Sequence, residues 1–372
     1  MFFSVNSTLL KNSLTKVNSV IEKKSINQLI GYTLIELEKN KITLSSTDNE
    51  VYVKVISQAE SDTNASFCIN TKNLFDIIKD IPDTTLKFKM ENDSNTLNLE
   101  SNNLFYSLLI YNSQEYPKIN FPSNLNFLKT NKNELSRMIQ ITNHAISNDE
   151  TRIYLNGLFF QEVNNKLRAV ATDGHRLSLI ETDTVGKEVS SNHLVNGIIV
   201  PKKGVNEIRR MTDTNSEIIQ IAVDESFLFA KTSDDYILSI RLIAREYPKY
   251  QAVIPSKAGN KLVTNRSQLY EAIKRIRIMT NEKSNQVRLN ISENKIELSA
   301  NHPSLGKAKE IIPISYSGKS MEIGFNAKYL IDVLSILDDG NVELELGSEI
   351  SPVVIRSPNI ENYLGIIMPL KL

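Results

Sequence analysis

The chain has 372 residues, 43 basic against 43 acidic side chains for a formal net charge of zero, and 41% apolar residues, which is soluble globular composition with no disorder signature. Its length allows two or three domains with cores of their own, and its neutrality gives no bulk electrostatic argument for a polyanionic partner. The single cysteine, Cys68, rules out an internal disulfide and a multi-cysteine metal site, the histidines at 144, 175, 193 and 302 lack metal-ligand spacing, and no cofactor is expected.

In chain order, the first helix is marked by Leu10, Leu14, Val17 and Ile21 on one stripe. The alternating run Leu34-Ile35-Glu36-Leu37, the turn Asn40-Lys41-Ile42 and a further strand then read as a β-hairpin. Strand Phe67-Cys68-Ile69 leads into a second helix with Leu74, Ile77, Ile78 and Ile81 at i, i+3, i+4, i+7, closed by Pro82, and Leu86-Lys87-Phe88-Lys89-Met90 resumes as strand. Leu135, Met138 and Ile139 mark a third helix, before a hairpin through Asn165-Lys166-Leu167. Ile198-Ile199-Val200 then precedes a helix with Pro201 in its first turn and Ile208 and Met211 on its apolar face. Strand 218–223 follows. Leu269, Ala272, Ile273 and Ile276 define a fifth helix, Asn294-Lys295-Ile296 a third hairpin turn, and Leu330, Val333, Leu334 and Leu337 a sixth helix ahead of strand 342–346.

These elements repeat. Thr47, Thr172 and Asn301 each stand seven residues beyond an Asn-Lys-aliphatic turn, 125 and then 129 residues apart, which is domain spacing and not solenoid spacing. Each third splits into two halves of strand, helix and three strands. The expected fold is therefore α+β, six βαβββ units in three tandem domains, with one-sided helices on one face of antiparallel sheets. Pro, Ser, Gly and Asn gather near residues 124–127 and 255–261, so the domains are placed at 1–126, 127–258 and 259–372.

Positive charge collects off the apolar stripes: Lys11, Lys16, Lys23 and Lys24 around the first helix, Lys202, Lys203, Arg209 and Arg210 on the fourth, Arg266, Lys274, Arg275 and Arg277 on the fifth. Along those helices only Glu22, Glu207 and Glu271 oppose them. A solvated face is one reading; a set of phosphate contacts without sequence preference is the other. The sixth helix leans acidic through Asp332, Asp338 and Asp339. Asp173 and His175 invite an acid–base role, yet no nucleophile elbow, glycine phosphate loop or second carboxylate lies at motif spacing, and Thr172-Asp173-Gly174 is a good turn; an enzyme is not expected.

Four motifs together resemble one family: Ala171-Thr172-Asp173-Gly174-His175-Arg176-Leu177, Val200-Pro201-Lys202-Lys203-Gly204, Met321-Glu322-Ile323-Gly324-Phe325-Asn326, and the ending Met368-Pro369-Leu370-Lys371-Leu372. In this order and spacing they are similar to the bacterial beta sliding clamp, the processivity subunit of DNA polymerase III. The resemblance implies three clamp domains per chain, with two chains closing head to tail into a ring, sheets outside and helices inside, around double-stranded DNA. It implies partners that dock by short linear peptides: the replicative polymerase, the clamp loader, other polymerases and repair proteins. One apolar pocket would use Leu155, Thr172, Gly174, His175, Arg176, Leu177, Pro248, Val253, Ile366 and Met368; a shallower neighbour would use Arg152, Tyr154, Tyr329, Pro369 and Leu370. Arg152 and Arg176 are expected to orient the peptide's polar groups. Lys24, Lys202 and Lys203 are expected to touch phosphates loosely. The dimer contact would pair strand Leu104-Phe105-Tyr106-Ser107-Leu108 with the third domain near Ile278 and Met279.

The chain departs from the pattern at Leu370 and Lys371, where relatives often carry Met and Arg, at Tyr250-Gln251-Ala252-Val253, which lacks arginines, and at Asp149, an added charge. Asn102, Asn103 and the 304–309 segment lack the charges of the family's junction, so a dimer closed by burial and strand pairing is expected. A scaffold that binds peptides without encircling DNA is the alternative. With neither an 18-residue apolar run nor a signal peptide at Met1-Phe2-Phe3-Ser4-Val5-Asn6, no membrane partner and a cytoplasmic location are expected.

Overall fold

A computed structural model describes residues 1–372 except 22–27, 91–94, 118–120, 123, 186–191 and 257–258. Its helices are α1 (Ser7–Asn18), α2 (Thr71–Ile78), α3 (Lys132–Thr142), α4 (Asn192–Asn196), α5 (Lys202–Met211), α6 (Arg266–Arg277) and α7 (Ala327–Ile336). Among the described residues, leaving aside the short α4 and the two-residue strand Glu60–Ser61, every helix follows one strand and precedes three, so six βαβββ units are present, as the periodicity predicts. All strand pairings are antiparallel among the described residues.

One physical device recurs at five of the six helix starts. The preceding strand ends in asparagine, and the side-chain oxygen accepts the orphan amides of the first turn. Asn6 accepts from Thr8 and Leu9, Asn70 from Asn73, Asn131 from Asn133, Asn265 from Gln268, and Asn326 from Lys328. At α5 the position is Pro201, which has no capping side chain; it closes strand Ile198–Pro201 and does not sit in the helix as expected, while the Lys202 amide is held by the Asn156 carbonyl. Three predicted stripes also run too long. Ile21 lies beyond α1, past the buried Val20, and Ile81 lies beyond α2, past Lys79 and Asp80. Leu337 lies just beyond α7, in extended conformation.

The hairpins follow from left-handed asparagines. Asn40, Asn165 and Asn294 have φ of 68°, 61° and 57° at the equivalent turn position, a conformation that Asn tolerates better than other side chains.

The chain divides into two compact units. The first comprises residues 1–133, 184–193 and 203–242, and its strands form one 13-stranded sheet. That sheet crosses from the first third of the sequence to the middle third where Tyr236–Arg241 pairs with Val51–Gln58, Tyr236 opposite Val55. Leu10, Leu14 and Val17 of α1 and Leu74 and Ile78 of α2 are buried, as is Cys68.

The second unit comprises residues 134–183, 194–202 and 243–372. It holds an eight-stranded and a four-stranded sheet. The eight-stranded sheet joins the middle and last thirds where Arg176–Asp183 pairs with Tyr363–Ile367, Leu177 opposite Ile366. Leu269, Ala272, Ile273 and Ile276 of α6 and Leu330, Val333 and Leu334 of α7 face the core.

Candidate functional site

The candidate groove lies wholly within the second unit and is built on the turn between strands Lys166–Thr172 and Arg176–Asp183. Thr172 Oγ1 accepts the Gly174 amide at 3.1 Å and donates to the Arg176 carbonyl at 2.6 Å, while Asp173 Oδ1 accepts the amides of His175 and Arg176 at 2.9 and 3.1 Å. Gly174 has φ +89°, and an added Cβ would lie 2.8 Å from Nη1 of Arg152. With one Asp173 oxygen on backbone amides and the other on Arg176, the Asp173–His175 pair is a turn and not an acid–base couple.

Arg176 is where the expectation fails. Its Nε donates to Asp173 Oδ2 at 3.0 Å and its Nη1 to Asp332 Oδ2 at 2.6 Å, and its Cζ lies 4.4 Å from the Tyr329 ring centroid. The side chain is 9% exposed, so the guanidinium is spent inside the protein and is not presented as a free peptide-orienting group. Arg152 is half-buried, and its Nε donates to Asp149 Oδ2 at 2.8 Å. Hydrogen bonds from Thr151, reinforced by Arg152, hold the Asp149 carboxyl down to about 2. The Asp149 charge, which looked like a loop anomaly in the sequence, is therefore the partner of Arg152.

Beneath the turn, Leu155, Leu177 and Ile366 are buried in one apolar cluster with Phe159, Val170, Tyr247 and Tyr250, and Tyr154 packs on its margin. Phe159 stacks on Tyr247 with centroids 4.7 Å apart. Gly174, His175, Pro248 and Val253 are exposed, whereas Thr172, Tyr329, Met368, Pro369 and Leu370 are half-buried. The His175 and Tyr329 rings lie nearly parallel with centroids 6.4 Å apart.

The end of the chain is tied to both sheets of the unit. The Met368 amide donates to the His175 carbonyl at 2.8 Å, and the Leu370 amide donates to the Gly324 carbonyl at 2.8 Å. Turn, α7 and tail thus come together through contacts of Arg176, Tyr329, Asp332, His175 and Met368; Pro248 and Val253 flank Tyr250 of the cluster beneath. Asp332 was not among the predicted site residues.

The proposed phosphate contacts stand differently. Lys24 lies outside the described residues. Lys202 donates to Asn148 Oδ1 at 2.8 Å, and Lys203 forms an ion pair with Asp48. Carboxylates outside those helices also meet their cations: Asp234 pairs with Lys16, Asp339 with Arg266 and Glu310 with Arg275. Of the expected dimer residues, Phe105, Tyr106 and Ile278 are exposed and Leu108 and Met279 half-buried, while Leu109 is as open as Phe105.

Three family models match in succession: the N-terminal, central and C-terminal domains of the DNA polymerase III beta subunit, at residues 1–120, 129–249 and 251–371. The chain belongs to that family. Curated relatives similar to it include the beta sliding clamps of Proteus mirabilis, 29% identical, and Escherichia coli K12, 28% identical, each aligned over 100% of both chains. Solved structures agree over 100% of both chains: the DNA polymerase III subunit beta of Pseudomonas aeruginosa (TM-score 0.92, 26% identical), the polymerase sliding clamp of Caulobacter crescentus (0.93, 28%), and a Pseudomonas aeruginosa clamp bound to griselimycin (0.93, 28%). This is a family of non-catalytic processivity factors, in keeping with a turn whose carboxylate is fully engaged. Among the described residues, no helix is long and apolar enough to cross a membrane, and no cluster of His, Cys, Asp and Glu could hold a metal ion.

Proposed function

We propose that two copies of this chain close head to tail into a ring that encircles duplex DNA without sequence preference and tethers the replicative polymerase, the clamp loader and repair proteins in the cytoplasm. The observation that carries this reading is the set of six βαβββ units, matched end to end by solved polymerase clamps. Domain boundaries are placed at 1–126, 127–258 and 259–372.

Ring closure is supported by two unpaired sheet edges. Within strand Leu104–Asn112, residues 104–109 pair, among the described residues, only with Thr96–Ser101, and Phe105 and Leu109 are 62% and 64% exposed. Among the described residues, strand Gly306–Pro313 pairs only with Lys295–His302, beside Ile278 at 73% exposure and Leu305 at 63%. An open edge flanked by exposed apolar side chains on each end unit of the fold is a template for strand addition from a second chain, with Tyr106, Leu108 and Met279 in the contact. Lys24, Lys202 and Lys203 then serve as loose phosphate contacts, suited to sliding.

Retention after loader-assisted assembly on nicked circular DNA, compared with the same DNA linearised, tests the ring. The expected result is retention on the circle and loss from the linear form; equal loss from both overturns it in favour of a scaffold that does not encircle DNA. For the groove, deleting residues 368–372 removes the tail's two backbone bonds, to His175 and Gly324, and should abolish binding of a polymerase tail peptide while leaving the dimer intact. Unchanged peptide affinity would refute the assignment.

A further inference from the structure

Glu207 is a buried acid that neither the ring nor the groove uses. It stands on α5 with its side chain 3% exposed and meets the end of α1, both helices packing in the first unit. Its Oε2 lies 2.5 Å from Ser19 Oγ, and the same hydroxyl lies 2.7 Å from the Lys16 carbonyl. A carbonyl and an ionised carboxylate can only accept, and a serine hydroxyl has one hydrogen to give. Both contacts are as short as full O–H···O bonds, so one hydrogen does not serve the two. A second hydrogen is required between Ser19 and Glu207, and the carboxyl is the group that can carry it.

The surrounding charges agree with a neutral acid. Among the described residues they are Lys16 of α1, Asp48 of the first hairpin turn, Lys203 and Arg210 of α5, and Asp234 and Tyr236 at the start of strand Tyr236–Arg241. Glu22, Lys23 and Lys24 lie outside the described residues. Lys203 is taken by Asp48, and Lys16 by Asp234 at 3.1 Å. Arg210 Nη1 stays 3.6 Å from Glu207 Oε1, on a side chain 56% exposed. No cation is therefore seated on the carboxyl, and burial raises its pKa above the ordinary glutamate value.

We propose that Glu207 carries a proton and donates it to Ser19 Oγ while Ser19 donates its own to the Lys16 carbonyl, a two-bond relay that latches α5 to the end of α1 until the acid ionises. A cleft of about 540 Å³, lined in part by Lys16, Ser19, Arg210 and Tyr236, brings water to the Ser19 side. On ionisation the proton passes to that water, the bond from Ser19 to Lys16 stays, and a bare carboxylate is left against an oxygen lone pair. The latch is a pH-dependent joint between the first and middle thirds of the chain, and it fixes where α5 holds Lys202 and Lys203. It is independent of ring closure. An acid raised in the folded state adds stability that is fully present below its unfolded value and is lost as the pH rises toward the folded one.

The test compares the full-length protein with Glu207→Gln, whose amide can donate to Ser19 without titrating. At about pH 6, where exposed glutamates are ionised, the infrared difference between wild type and variant should contain the carbonyl band of a protonated acid. Hydrogen-exchange protection in α5, corrected for the intrinsic rate, should fall about tenfold per pH unit while the folded acid keeps a proton that the unfolded chain has lost. In Glu207→Gln that fall should be absent. A carboxylate band in place of the acid band, or equal pH dependence in wild type and variant, overturns the proposal; a merely structural Glu207 gives that second result, with protection lowered alike at every pH. Ser19→Ala reads the direction of the bond, and does so even if Glu207→Gln fails to fold. If the acid donates, loss of its acceptor moves the titration midpoint down. If Ser19 instead donates to a carboxylate, its loss moves the midpoint up, which refutes the latch.

Discussion

Lowering the pH from 7 to 5 should destabilise the second unit through His144. Both ring nitrogens are sealed from solvent, and burial, reinforced by the Arg176 charge, depresses the imidazole from an ordinary 6.5 to about 4, against the smaller pull of Asp332. The unfolded chain takes the proton first, so stability present above pH 6.5 is lost as the pH falls toward 4. Linkage between these two values gives a loss of about 2 kcal/mol between pH 7 and pH 5 from this residue alone. In His144→Gln, which cannot take up that proton, urea unfolding followed at pH 7 and pH 5 should show a pH-dependent loss smaller by about that amount. An imidazole titration followed by nuclear magnetic resonance reads the same quantity directly. A His144 midpoint above pH 6, or equal pH dependence in wild type and variant, would refute the reasoning.

Two further outcomes are expected. Gly197 has φ +91°, and an added Cβ would lie 2.2 Å from the Phe159 ring, which is stacked on Tyr247; Gly197→Ala should cost about 2 to 3 kcal/mol in chemical unfolding, and a loss below about 0.5 would show that the cluster yields freely. The proposed dimer edges expose Phe105 and Leu109 on one side and Ile278 and Ile311 on the other, Asn102 and Asn103 stand at the first, and Lys309 and Glu310 of the second are already paired with Glu297 and Arg275; sedimentation equilibrium at about 0.05 and 0.5 M salt should therefore find the dissociation constant changed less than about tenfold, since screening acts on charge pairs and hardly on buried apolar contacts.

What was legible in the sequence was whatever is governed by local spacing. The apolar stripes of α6 and α7 are buried as read, and the Asn-Lys turns mark the three hairpins. The five asparagine caps were equally local and were missed; an asparagine closing each strand just before an apolar helical stripe was the available signal. The charge pairing could not be read in this way. Asp332, Asp338 and Asp339 looked like an acidic lean of one helix and its end, yet each meets an arginine from elsewhere: Arg176, Arg137 and Arg266. Helical spacing says which side a carboxylate faces and nothing about which distant cation the fold will bring to it. The proposed groove includes Arg176, so its residues were partly visible in the sequence and its charge pairing was not.

The threefold repeat shows how a structural turn becomes a site. In the first copy Thr47 and Asp48 accept the amides of Asn49, Glu50 and Val51 in the pattern of Thr172 and Asp173, and Asp48 is then covered by its ion pair with Lys203. In the third copy His302 takes the aspartate's part, its Nδ1 accepting the amides of Ser304 and Leu305 at 3.2 Å. The fold needs an acceptor at that position; the residues after it set what the turn presents. Asn49 holds φ +76° where Gly174 holds +89°, so asparagine is compatible with the backbone of the second turn as well. In Gly174→Asn the new Cβ would meet the flexible end of Arg152 and no backbone atom, so the fold should lose under about 1 kcal/mol. The groove, by contrast, would receive a polar side chain where it now has none, and Arg152 would have to leave its place. Thermal unfolding should therefore stay within a few degrees of wild type while affinity for the polymerase tail peptide falls about tenfold, roughly the effect of one misplaced side chain at a small contact. Loss of both would mean that the second turn cannot take the first turn's residue, and that the three turns are less alike than their hydrogen bonds make them; loss of neither would place the peptide away from Gly174.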